Sequence, residues 1–140
     1  MSVTQLCERR RQRSSNTYEA IRLQLEYILQ EQGLSNFVLG DSRGLVLGYA
    51  GHGDDAHVLA AYAPVVAQCV EKSRYYDVLE KIQKFIPEAS AGSVAFRTFQ
   101  VDGEVLHLCI QGQEGRLNHA NIYRAVSGVR RILDESRAAA

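Results

Sequence analysis

The sequence has no excess of either charge: sixteen Lys and Arg stand against sixteen Asp and Glu over 140 residues, so the formal net charge is zero. Without a whole-molecule field to gather a polyanion, generic nucleic-acid binding is disfavoured, and only a local cluster could hold an anionic partner. Long apolar runs are missing too. None approaches the ~20 residues that cross a bilayer, which argues against membrane insertion. Met1-Ser2-Val3-Thr4-Gln5 lacks the apolar core of a secretory signal, so a cytoplasmic protein is expected. Cysteine is sparse. Cys7, Cys69 and Cys109 are an odd number with no close pair, which argues against a disulfide framework and suits a reducing compartment. Reactive side chains are scarce enough to suggest a protein that binds rather than catalyses.

The apolar share of 46% and charged share of 23% are those of a soluble globular chain, and the length suits a single domain. Residues 1–16 contain Glu8-Arg9-Arg10-Arg11-Gln12-Arg13 without an apolar period and are expected to form a flexible basic arm. Residues 17–137 are expected to form the domain and 138–140 a tail. After Asn16, a candidate N-cap, Tyr18, Ile21, Leu25, Ile28 and Leu29 recur at helical spacing as far as Gly33. Leu23 and Tyr27 lie off that stripe and predict a wide buried arc. Two apolar runs, Asn36 to Gly40 and Leu45 to Ala50, flank Asp41-Ser42-Arg43-Gly44 and predict a hairpin. Their lack of clean alternation suggests a sheet covered on both faces.

The stretch from Ala56 to Lys72 reads as a second helix, opened by Asp54 and Asp55 and bent or broken at Pro64. Leu59, Ala63, Val66 and Val70 form one apolar stripe on it, and Val58, Tyr62, Val65 and Cys69 form another. Two stripes need two partners. Tyr75, Leu79, Ile82 and Ile86 trace a shorter helix ended by Pro87. Val94 to Val101 and Glu104 to Gln111 flank Asp102-Gly103, the strongest hairpin signal in the chain. Ile122, Val126, Val129 and Leu133 mark a final helix from about Leu117 to Arg137, with Arg124, Arg130 and Arg131 largely outside the stripe. The expected fold is a three-layer α/β sandwich with a mainly antiparallel sheet of four to five strands and helices on both faces.

The run Phe37-Val38-Leu39-Gly40-Asp41-Ser42-Arg43-Gly44-Leu45-Val46-Leu47-Gly48 and the closing Ala125-Val126-Ser127-Gly128-Val129-Arg130-Arg131-Ile132-Leu133 resemble the roadblock/dynein light chain family. Within it the likeness is to the bacterial, MglB-like regulators of small Ras-like GTPases, including members that do not stimulate hydrolysis. The resemblance implies a five-stranded sheet with the first and last helices on one face and the middle helix on the other. It further implies dimers formed through an edge strand and the middle helix, and a paired surface that docks a GTPase or assembles with other roadblock domains. Two features depart from the family: Pro64, and a helical pattern from Tyr75 to Ile86 where a fifth strand or short link would stand.

Cys109 has His107 two residues away on one strand face, but a buried thiol beside a packed histidine explains both, and no catalytic residue is assigned. His52, Asp54, Asp55 and His57 share a loop and helix start whose acids suit the helix dipole, so no metal is assigned. The glycines from Gly48 to Gly53 lack the Lys-Ser/Thr ending of a phosphate loop, so no cofactor is assigned and any GTP belongs to a partner. The reading is a noncatalytic adaptor, pairing with itself or a roadblock paralogue, that serves a small Ras-like GTPase system or its regulators in polarity or motility. Its partner interface is Val58, Tyr62, Val65 and Cys69, with Arg124, Arg130 and Arg131 as a secondary docking surface. The rival is a small-molecule sensor of PAS, GAF or profilin-like type, with His107, Cys109 and Tyr49 lining a pocket.

Overall fold

The structure is a computed structural model that describes the backbone of residues 3–115 and 119–138 and the side chains of 16–115 and 122–136. The elements are α1 (Val3–Gln32), β1 (Asn36–Asp41), β2 (Val46–Ala50), α2 (Gly53–Ala67), α3 (Lys72–Gln83), β3 (Val94–Val101), β4 (Glu104–Gln111) and α4 (His119–Ala138). The four strands form one antiparallel sheet in the order β2-β1-β4-β3.

Strand alternation divides the core in two. Phe37 and Leu39 of β1, Phe99 and Val101 of β3, and Leu106, Leu108 and Ile110 of β4 face α1 and α4, where they meet Ile21, Leu25, Ile28, Ala125 and Val129. Val38, Val94 and Cys109 face the other way, against Leu59 and Ala60 of α2 and Val78, Leu79 and Ile82 of α3. Both sheet faces are therefore covered, as the unbroken apolar runs imply. Helices α1 and α4 run antiparallel: Thr17 Oγ1 lies 2.5 Å from Ser136 Oγ, and Arg124 reaches Glu31 at 3.4 Å.

The turns carry out what their residues allow. Asp41 Oδ1 accepts the N–H groups of Arg43 (2.9 Å) and Leu45 (3.0 Å), and Gly44 takes φ +85 where a Cβ would lie 3.2 Å from the Ala61 Cα of α2. Asp102 and Gly103 both have positive φ (+48 and +78), the signature of the tight hairpin turn between β3 and β4. At the other end, Gly51 sits at φ +104, where a Cβ would lie 2.3 Å from the Ser35 carbonyl oxygen. Beside it, buried Asn36 joins strand to helix: its Nδ2 donates to Gln111 Oε1 (2.7 Å) and Asp55 Oδ2 (3.3 Å), and its Oδ1 accepts the His52 N–H (2.7 Å).

Several expectations need correction. The backbone of residues 3–16, expected as a flexible arm, continues α1, so Asn16 lies inside the helix and caps nothing; the arm's side chains, except Asn16, lie outside the described residues. At the far end, α4 takes in Ala138, the first residue of the expected tail, while 139–140 lie outside the described residues. Leu23 and Tyr27 are exposed, 53% and 63%, because the layer of α1 and α4 has no further layer above it. The helix expected from Ala56 to Lys72 ends early, at Ala67, and α3, expected separately, opens at Lys72. α2 passes through Pro64 and stops one turn later at Ala67, where the Gln68 and Cys69 N–H groups donate to Val65 and Val66 in a tightened last turn. The fifth strand implied by the family resemblance is not among the described residues; α3 occupies that stretch of chain.

Candidate partner interface

The sheet ends at β3, and its free edge can be read from the hydrogen bonding. Gly112 N–H donates to the Ser93 carbonyl at 2.8 Å, and the alternation along β3 then turns the backbone groups of Phe96, Thr98 and Gln100 away from β4. Arg130 Nη2 donates to the Gln100 carbonyl at 3.3 Å, and its guanidinium lies 5.6 Å from the centre of the Phe99 ring, so one end of this edge is occupied from within the chain.

Beside that edge lies the sequence-predicted stripe. Val58, Tyr62 and Cys69 are half-buried, packed with Val66, Tyr75 and Phe96 around the α2 side of the sheet, while Val65 is 46% exposed. Helix α3 covers part of what the sequence left bare. Beyond α2 the apolar surface continues onto Val70, 96% exposed, and Tyr76, 54% exposed. Val70 belongs by periodicity to the buried stripe of Leu59 and Ala63; it is bare because the helix ends three residues before it. Phe96 and Tyr76 were not singled out from the sequence. The alternation of β3 was the available signal for Phe96, since it shares a strand face with buried Val94.

The arginines do not form one surface. Arg124 is paired with Glu31, Arg130 is engaged with Phe99 and Gln100, and Arg131 is exposed on the same helix.

The candidate chemical groups are held for packing. His107 is 5% exposed with its Nδ1 2.9 Å from Thr98 Oγ1, and burial keeps it below the usual histidine pKa against an opposing pull from Asp41. Burial pushes the Cys109 thiol well above its ordinary value. The Tyr75 hydroxyl is pushed up to about 12, first by burial and then by its neighbours Cys109, Tyr76 and Cys69. A thiol held protonated is a poor nucleophile. Of the rival sensor's residues, Tyr49 lines an open groove that includes neither His107 nor Cys109. Asp55 is tied to Asn36, and no three His, Cys, Asp or Glu side chains among the described residues converge on a metal position. No helix among the described residues is long and apolar enough to cross a membrane.

No protein-family model and no curated protein matches the chain. Solved structures do. Myxococcus xanthus MglB aligns with a TM-score of 0.50 at 14% identity, over 85% of this chain and 91% of that one. An MglB with a tetrameric arrangement aligns at 0.53 and 19%, over 86% and 92%. The gliding protein MglB of Thermus thermophilus aligns at 0.52 and 18%, over 85% and 92%. The fold is that of MglB. At these identities the likeness carries the architecture, the roadblock-type arrangement that the sequence resemblance implies. On this MglB fold the α2–α3 surface and the free β3 edge are adjacent, so one partner could meet both.

Proposed function

We propose that the chain is a noncatalytic adaptor that pairs through the α2–α3 surface and the β3 edge, with itself or a paralogue, and regulates a small Ras-like GTPase system. The observation that carries this reading is the meeting of a partly exposed apolar stripe, Tyr62, Val65 and Cys69, with a strand edge whose backbone groups at Phe96 and Thr98 have no neighbouring strand. An edge offers hydrogen bonds and an apolar stripe offers burial, the two components of a β-extended interface. The MglB fold supports the GTPase as the partner class, with polarity or motility as the setting.

The test is affinity capture from native cell extract with wild type and Val65→Asp side by side. Wild type is expected to retain a small GTPase or a second roadblock-like chain, and Val65→Asp to lose it. Equal recovery by both, with the variant folded by circular dichroism, would overturn the assigned face.

A further inference from the structure

The sheet has a second free edge, on the far side from the pairing face. There β2 lies between α1 and α2 and floors an open groove of about 770 Å3, walled by Tyr18, Glu19, Arg22 and Glu26 of α1 and by His57 of α2. A groove of this size falls within the range of ligand sites, which run about 300–1,000 Å3.

The floor presents backbone. Asp41 N–H donates to the Leu45 carbonyl at 3.0 Å, Leu39 faces Gly48 and Phe37 faces Ala50. This alternation directs the backbone groups of Gly48 and Ala50 toward β1 and turns the N–H and C=O of Tyr49 outward. Gly48, Ala50 and Gly51 add almost no side-chain bulk, so the strand edge stays reachable between the helices. The segment Val46-Leu47-Gly48-Tyr49-Ala50 has no charge and no proline, the usual guards of an edge strand. The opposite edge is guarded better, by Arg97 on β3 and by Arg130 on the Gln100 carbonyl.

The walls select the occupant. Arg22 bonds Glu19 and Glu26, the latter at 2.6 Å, so two carboxylates share one guanidinium and the α1 wall keeps a net negative charge. α2 contributes His57 and no Lys or Arg. Tyr18 and Tyr49, half-exposed, offer ring faces that suit a cation. An anionic ligand would be repelled, and a helical partner could not use the outward groups of Tyr49. A second copy would bring its own glutamate wall against this one. We propose that the groove is a docking site, separate from the pairing face, for an extended basic peptide of another protein that adds to β2 as a strand and sets a Lys or Arg against Glu19 and Glu26.

The probe is a displayed library of linear peptides selected against the full chain, followed by synthesis of an enriched peptide and titration by amide NMR. Enriched sequences are expected to carry Lys or Arg, to perturb Val46–Gly51, Tyr18 and His57, and to slow exchange of the Tyr49 N–H. Methylating the peptide backbone nitrogens that face β2 should weaken binding about tenfold, the equivalent of one edge hydrogen bond. Glu26→Gln should weaken it about threefold or more and reduce its salt dependence. Val65→Asp should leave it unchanged, which separates this site from the pairing face. No enrichment, enrichment of neutral or acidic sequences, indifference to methylation, or perturbations confined to α2, α3 or β3 would each overturn the proposal.

Discussion

His107 and Asp41 respond to acid for opposite reasons. Burial lowers the His107 pKa below 6.5, so the unfolded chain takes up a proton at a pH where the folded chain resists it. Stability from neutral His107 is therefore complete above 6.5 and falls as pH drops below it. Burial pulls the Asp41 carboxyl upward, but the Leu45 and Arg43 N–H groups and the Arg43 guanidinium outweigh it and leave the pKa below 3.8. Its contribution is present above 3.8 and fades only as pH falls through the folded value. Denaturant melts across pH are expected to show a first loss of stability just below 6.5 that His107→Gln removes, followed by a second below 3.8 that His107→Gln leaves in place. At this scale the sequence spoke clearly about turns, because Asp102-Gly103 and Asp41 with Gly44 act within a few residues. It was silent on Gly51, whose constraint is the Ser35 carbonyl across a loop.

α3 is the element that most changes the reading of its neighbours. Its Val78, Leu79 and Ile82 close over the α2 side of the sheet, in the same buried cluster as Cys109. Truncating Ile82 to Ala should cost about 2–5 kcal/mol, the range for losing a buried aliphatic side chain with partial collapse of the cavity. The same change should raise the native-state alkylation rate of Cys109, measured by peptide mass, while the rate at half-buried Cys69 changes little. An unaltered Cys109 rate in a destabilised variant would place its protection elsewhere than α3. The helical pattern of α3 was legible from Tyr75, Leu79, Ile82 and Ile86. Its effect, turning an exposed stripe on α2 into a half-buried one, was not, because a periodic pattern marks an apolar face without naming what covers it. At Pro64 a bend or a break was expected; the helix is not broken there but runs on to Ala67.

For the molecule as a whole, the two sheet edges differ in kind. β3 has apolar neighbours on α2 and α3, suited to a permanent contact, and β2 has a polar groove, suited to an exchangeable peptide. If the first edge pairs chains, light scattering should report twice the chain mass at high micromolar concentration. Val65→Asp should then raise the dissociation constant by about a hundredfold, roughly 2.7 kcal/mol, by burying an unpaired carboxylate. A monomer at that concentration, unchanged by the substitution, would remove the pairing face.

The sequence by itself determined the secondary structure of most of the chain, the β3–β4 turn to the residue, and a sheet covered on both sides. These depend on local turn chemistry and on periods of two and 3.6 residues, which any short window contains. Only the tertiary structure decided that Val70 stands bare, that Arg124 and Arg130 are engaged while Arg131 is exposed, that His107 and Cys109 are packed away, and that β2 and β3 are the free edges. Each of those outcomes depends on segments far apart in the chain meeting in space, and composition and spacing do not record such meetings.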